Sequence, residues 1–162
     1  MSKIILITHQ KGGVGKSTLT FNLAQNISQN SRVVVLDFDL QGSLSQLKEL
    51  VTDFDIIPYQ DNIEGIRNMD YDFVFIDNTL ALIKKQNRGE DTLIVFNMIK
   101  SNTTLTIDIL IEIEGFKIEV AKTHISDLVA FTRSVLLKGV VGSKNAQRQI
   151  DNLTKEVLTK LI

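Results

Sequence analysis

The chain has 162 residues and no cysteine, so no disulfide, cysteine-ligated zinc or iron–sulfur cluster can hold it together. That length suits one domain, and 43% hydrophobic with 23% charged residues matches a globular protein, which excludes a disordered or fibrous one. The net charge of −1 gives no general attraction to nucleic acid, no apolar run reaches the ~18 residues that span a bilayer, and no secretory pattern is read, so a cytoplasmic location is expected.

The first apolar run, Ile4-Ile5-Leu6-Ile7, predicts a strand over residues 3–8, and Leu19, Leu23 and Ile27 recur at helical spacing in a helix over residues 16–29. Between them stands Lys11-Gly12-Gly13-Val14-Gly15-Lys16-Ser17-Thr18. A strand that stops, a glycine-rich turn and a helix opening on that turn make a phosphate cradle. Glycines let backbone N–H groups close around phosphate oxygens, and the positive end of the helix faces the anion. Lys16 would reach the β and γ phosphates, and the Ser17 hydroxyl would take a position on Mg²⁺. The ordinary pattern wants a glycine five residues before the Gly-Lys pair. Here that position is Gln10, and the additional Lys11 marks a variant form.

Val33-Val34-Val35-Leu36 reads as a buried parallel strand over residues 32–37 that ends in Asp37, with Asp39 two residues on. A helix is expected over 43–50, a strand over 55–59, and a strand over 71–77 ending in Asp77. Strands over 92–97 and 117–123 and helices over 103–114 and 145–161 complete the alternation. In the 103–114 segment Ile107, Ile109, Ile111 and Ile113 alternate as in a strand, but Leu105, Ile109 and Ile113 also recur every four residues before Gly115. Helix is chosen there because parallel strands need a crossover. The pattern predicts a single α/β domain over residues 1–162, doubly wound, with a mostly parallel sheet and helices on both faces. In such sheets the ligand sits outside the carboxyl ends of the strands, so Asp37, Asp39 and Asp77 would converge on the phosphates and their metal. A single strand-end aspartate is equally a cap or turn residue; three beside one phosphate loop make coincidence a poor account. His9 and His124 are isolated and read as structural or solvated.

Together, Lys-Gly-Gly-Val-Gly-Lys-Ser-Thr, Val-Leu-Asp-Phe-Asp-Leu-Gln-Gly-Ser and Tyr-Asp-Phe-Val-Phe-Ile-Asp resemble the deviant Walker A, A′ and B motifs of the ParA/MinD superfamily. Its members are dimerising ATPases that segregate plasmids and chromosomes or position division sites. The resemblance covers most of the chain. Thr92 to Asn97 is similar to the family strand whose terminal Asn reads adenine, and Lys117 through Gly139 to the last strand and the helical region after it. It implies the P-loop NTPase fold, with ATP and Mg²⁺ as cofactors. Gly12, Gly13, Val14, Gly15, Lys16, Ser17, Thr18 and Asn97 would surround the nucleotide. Ser17, Asp37 and Asp77 would hold the metal directly or through water, and Asp39 would position the attacking water. Lys11 would reach across a two-fold interface to the partner's nucleotide, so ATP binding and homodimerisation become one linked equilibrium. A ParB-like centromere-binding protein would stimulate slow turnover. The absence of cysteine argues against the nitrogenase iron-protein and cluster-scaffold relatives, the presence of only Tyr59 and Tyr71 against the tyrosine-tailed kinase branch, and Lys11 against a small-molecule kinase or ligase.

The chain departs from the family between Asp77 and Thr92. Residues 78–91 suffice for one crossing helix but not for the further strand and helix that the family has there, since a βαβ unit takes about 30 residues. Either that unit is deleted or residues are missing from the numbered sequence. A deletion would put turnover and dimerisation in doubt more than nucleotide binding.

Such a switch has two destinations. A partition ATPase binds DNA without sequence preference, whereas a MinD-like division-site ATPase binds membrane. A nucleotide-binding module without turnover is a third reading. The phosphate strand begins at Lys3, which resembles the small plasmid-type ParA proteins. From Ala121 to Ile162 seven basic side chains stand against three acidic ones, and Arg133, Lys138, Lys144 and Arg148 are the candidate DNA contacts. A solvated helix face would look the same. Ile150, Leu153, Val157 and Leu161 form a stripe suited to core packing, so a membrane anchor is not expected. The expectation is a nucleoid-associated partition ATPase.

Overall fold

Runs of β-branched and leucine residues form four strands, β1 (Lys3–Thr8), β2 (Val33–Asp37), β3 (Asp55–Pro58) and β4 (Phe73–Asn78). All run parallel in the order β1-β4-β2-β3. The computed structural model describes residues 2–8, 13, 15–39, 41–58, 70–78, 93–98, 119–137, 139–140 and 142–161. Every residue of β2 is buried, as a strand covered on both faces requires. Its alternate side chains divide between two clusters. Val33 and Val35, with Phe75 of β4, join the larger one; Val34 and Leu36, with Val74, form the smaller one on the opposite face.

The larger cluster is closed by helices α1 (Lys16–Ile27), α2 (Val129–Ser134) and α3 (Lys144–Lys160). From α1 come Leu19, Phe21, Leu23, Ala24 and Ile27; the Phe21 ring meets Phe54 edge-on, centroids 5.7 Å apart. The α3 helix turns Ala146, Ile150 and Leu153 inward at helical spacing, each of the larger side chains contributing about 1.5–3 kcal/mol by burial. Its start is capped by Ser143, whose side chain accepts from the Ala146 N–H at 3.3 Å.

The parallel α/β architecture agrees with the sequence, with particular differences. Residues 43–50 form only a 3-10 turn, Ser45–Leu47, because the segment is pinned at its start by Asp37 and draws the buried Leu44 into the core. The strand expected over 92–97 shrinks to β5 (Leu93–Ile94), paired in parallel with β6 (Glu119–Val120) as a separate two-stranded ladder. The chain leaves the strand direction at Met98, whose φ of 57° is left-handed. The α2 helix is a separate element within the helical region expected after the last strand. The contested helix over 103–114 and, apart from Asn78, the short stretch over 78–91 lie outside the described residues.

Candidate nucleotide and metal site

Parallel pairing brings the functional side chains together. In register, Asp37 of β2 lies beside Asp77 of β4, and Asp77 beside Ile7 of β1, so the two acids stand at the level where β1 leads into the glycine loop. The loop delivers the chain to α1 through Gly15, whose φ of 74° only glycine adopts freely. A Cβ there would lie 2.9 Å from both Asn97 Nδ2 and Met98 Sδ. The N-cap of α1 is Gly15, which has no side chain to cap the helix as Ser143 caps α3, and N–H groups at such a helix start suit an anion.

Lys16, in the first turn of α1, extends into the acidic cluster. Its Nζ donates to Asp77 Oδ1 and, at 3.3 Å, to Asp39 Oδ2. Asp77 is fully buried, and its second oxygen, Oδ2, has no hydrogen-bond partner among the described residues. Burial pushes its carboxyl above the ordinary value; the hydrogen bond and charge of Lys16, with the nearby Ser17, act against this, while the charge of Asp37 adds to it. A buried carboxylate oxygen without a donor is costly and matches the coordination position of a cation. Asp77, with Ser17 at the start of α1 beside it, could hold a cation such as Mg²⁺.

Asp37 is employed differently. Its Oδ2 accepts from Leu44 N at 3.0 Å, Ser45 N at 2.7 Å and Ser45 Oγ at 2.8 Å, and its Oδ1 from Asp39 N at 3.2 Å. These bonds fold the loop after β2 and aim Asp39 at Lys16, so Asp37 suits a contact through water better than direct coordination. Asp39 Oδ1 meanwhile accepts from Gln41 N at 3.1 Å, and Gly42, at φ 59°, closes the turn.

The cleft beside this cluster measures about 600 Å³. Gly13, Gly15, Lys16, Ser17 and Thr18 line its phosphate end, with Asp39, Gln41 and Ser43 from the loop after β2. Asn97 lines it as expected, and its Nδ2 donates to the Gly15 carbonyl at 3.2 Å, which joins the glycine loop to the end of β5. Sequence reasoning missed the lining contributed after β6, Ser126 to Leu128 with Phe131 and Thr132. The available signal was position, since this segment follows a parallel strand at its carboxyl end. His124 stacks edge-on with Phe96, centroids 5.6 Å apart, in keeping with a structural role. Lys11, Gly12 and Val14 lie outside the described residues.

The candidate DNA residues lie elsewhere. Arg133 is exposed on α2, and Lys144 and Arg148 are exposed on α3 with Lys155, spaced so that all three share one solvent face. One acid, Asp151, falls among them on the same face and accepts from Asn26 at 3.0 Å and Gln147 at 2.8 Å, while Glu156 is drawn aside to accept from the N–H groups of Lys122 and Thr123 at 2.7 and 2.9 Å. Lys138 is outside the described residues.

Compared with known proteins, residues 5–161 match the CobQ/CobB/MinD/ParA nucleotide binding domain. The sporulation initiation inhibitor protein Soj of Bacillus subtilis is 50% identical over 44 residues, 26% of this chain and 17% of Soj. The maintenance of carboxysome distribution protein A of Gloeobacter kilaueensis is 34% identical over 86 residues, 49% of this chain and 40% of that protein. The matched segments thus span less than half of these relatives' own lengths. Among solved structures, a protein of Borrelia burgdorferi B31 assigned to plasmid partition and bound to AMPPNP superposes with a TM-score of 0.70 at 22% identity, covering 100% of both chains. A second Borrelia burgdorferi plasmid partition protein gives a TM-score of 0.54 at 21% identity, over 98% of this chain and 99% of the other. At these identities the structures establish the shared fold.

Proposed function

The chain belongs to the CobQ/CobB/MinD/ParA nucleotide-binding domain family, and from that premise we propose that it is a partition-type ATPase: it binds ATP with Mg²⁺, dimerises in that state, and attaches to DNA without sequence preference. The observation that carries the reading is Lys16 held between Asp77 and Asp39 at the mouth of the cleft, with one buried Asp77 oxygen lacking a partner. A lysine bridging two carboxylates is held in place without ligand, leaves one negative charge uncompensated for a cation to meet, and can exchange the carboxylates for phosphate oxygens when a triphosphate enters.

In this reading the N–H groups at the start of α1 and the Lys16 ammonium neutralise the phosphates. Ser17 and Asp77 would hold Mg²⁺, which would offset the charge of the phosphates. Asp37 keeps the loop after β2 folded so that Asp39 reaches Lys16 and the cleft. Freed from Lys16, Asp39 orients the attacking water. Asn97 and the wall from Ser126 to Thr132 receive the nucleoside. Lys11 completes the site of a second copy, and a ParB-like protein accelerates turnover. The AMPPNP bound to the Borrelia partition protein supports ATP as the nucleotide.

The basic face of α3, Lys144, Arg148 and Lys155, supports DNA as the surface on which the ATP form acts, in the cytoplasm on the nucleoid. Its apolar face is spent on the core through Ile150 and Leu153, which weighs against its use as a membrane anchor. The MinD-like reading keeps a different observation in its favour: Leu136 is 77% exposed and Leu137 50%, close to Arg133. The test is the oligomeric state measured with and without a non-hydrolysable ATP analogue and Mg²⁺, followed by DNA and liposome binding of the ATP form. A monomer under all conditions would remove the switch and leave nucleotide binding alone, while ATP-dependent liposome sedimentation without DNA retention would favour the membrane reading.

A further inference from the structure

Asn22 and Ser134 form a buried polar pair that is not part of the cleft lining. Asn22, on α1, donates from Nδ2 to the Thr18 carbonyl at 2.8 Å and to Ser134 Oγ of α2 at 2.8 Å. Ser134 passes the chain on, donating to the Phe131 carbonyl at 2.7 Å. Both side chains are buried, Ser134 completely. Asparagine is a mediocre helix former, and an apolar side chain of similar shape would fill the space without polar groups to satisfy. The pair therefore calls for a reason beyond packing.

That reason lies in what the bonds hold. Thr18 and Phe131 both line the cleft, so the network ties the backbone at the start of α1 to the backbone of α2 where both helices face it. The α2 helix needs such a tie. It has only 6 residues, too short to persist alone, and its N-cap Leu128 makes no side-chain capping bond. Of its residues only Phe131 and Ser134 are buried, while Val129 is 66% exposed.

We propose that Asn22 and Ser134 are positioning residues: they fix the α2 wall to the phosphate-binding helix and so determine how tightly the nucleoside half of ATP is held. The inference rests on the nucleotide binding proposed above. The cleft lining comes from two separate stretches of sequence, Gly13, Gly15, Lys16, Ser17 and Thr18 from the glycine loop and α1, and Ser126, Asp127, Leu128, Phe131 and Thr132 from the segment after β6. Dispersion contacts to a flat ring fall off within an ångström, so a loosened wall weakens nucleoside contacts while the loop keeps its grip on phosphate.

The test compares the intact chain with Ser134→Ala and with the double variant Asn22→Leu/Ser134→Ala, each titrated by calorimetry with a non-hydrolysable ATP analogue and with inorganic tripolyphosphate, both with Mg²⁺. The double variant leaves no orphaned donor on the asparagine and keeps the measurement meaningful if Ser134→Ala folds poorly. The expected result is a loss of about tenfold in affinity for the ATP analogue in both variants, with tripolyphosphate affinity held within about twofold. Unchanged affinity for the analogue in the double variant, or equal losses for both ligands, would overturn the positioning role. Should the wild-type chain itself show no preference for the analogue over tripolyphosphate, the nucleotide reading falls and this inference with it.

Discussion

Asp37 and Asp77 are register partners on adjacent parallel strands, both essentially without solvent exposure, yet their carboxylates are solvated by the protein in opposite ways. Asp37 accepts from three backbone N–H groups and a hydroxyl; Asp77 accepts from Lys16 and keeps one oxygen without a partner among the described residues. The first holds a loop, and the second keeps an acceptor open beside Lys16. Identical residue types at identical strand positions are thus satisfied in different ways.

The raised pKa of Asp77 has a stability consequence. Because it lies above the ordinary 3.8, the folded chain holds more protons at this group than the unfolded chain. Its contribution is most favourable below pH 3.8 and declines as pH rises through the folded-state value. Asp77→Asn, which keeps the shape and cannot ionise, should flatten that decline in denaturant titrations carried upward from pH 3.8. Parallel curves for wild type and variant would assign the pH dependence to another group.

Lys16 and Asp39 should separate binding from turnover. Lys16→Ala leaves phosphate charge and two acids uncompensated, and nucleotide binding should fall below detection. Asp39→Ala should bind ATP, since Lys16 loses a competitor, and should accumulate the ATP-bound dimer because the group that orients water is gone. A dimer of Asp39→Ala that decays at the wild-type rate would remove Asp39 from the hydrolytic role.

Gly15→Ala should be damaging twice over. At φ 74° an alanine costs about 1–2 kcal/mol, and its Cβ would sit 2.9 Å from Asn97 Nδ2 and Met98 Sδ. Met98 is the end of a flexible side chain and can yield; the Asn97 amide, bonded to the Gly15 carbonyl, yields only by giving up that bond. A lowered melting temperature together with lost nucleotide affinity is expected. Wild-type behaviour in both measurements would show that the end of β5 need not pack against the glycine loop.

The solvent face of α3 should govern DNA attachment. Lys144→Glu/Arg148→Glu/Lys155→Glu should weaken retention at low salt for any DNA sequence and reduce the slope of log affinity against log salt, which is about −0.9 for each phosphate neutralised. ATP affinity should stay as in wild type, because no member of this face lines the cleft. An unchanged salt slope would transfer the DNA surface to another part of the molecule.

The sequence by itself determined the strands β1, β2 and β4, the helix that follows the glycine loop, and the identity of Lys16, Ser17, Asp37, Asp39 and Asp77 as a group. Those features are local: continuous apolar runs, a glycine at a left-handed position, and acids at strand ends. Packing decided what local patterns leave open. The 3-10 turn at Ser45–Leu47 follows from Asp37 reaching forward to residues 44 and 45, and the cleft's second wall from bringing Phe131 against the helix that begins at Lys16. The division of roles between Asp37 and Asp77, and the bond from Asn22 to Ser134 across 112 positions, depend on donors supplied by distant segments. Periodicity reports only which face of an element is buried; the partner that meets each buried polar atom is chosen when the elements close on one another.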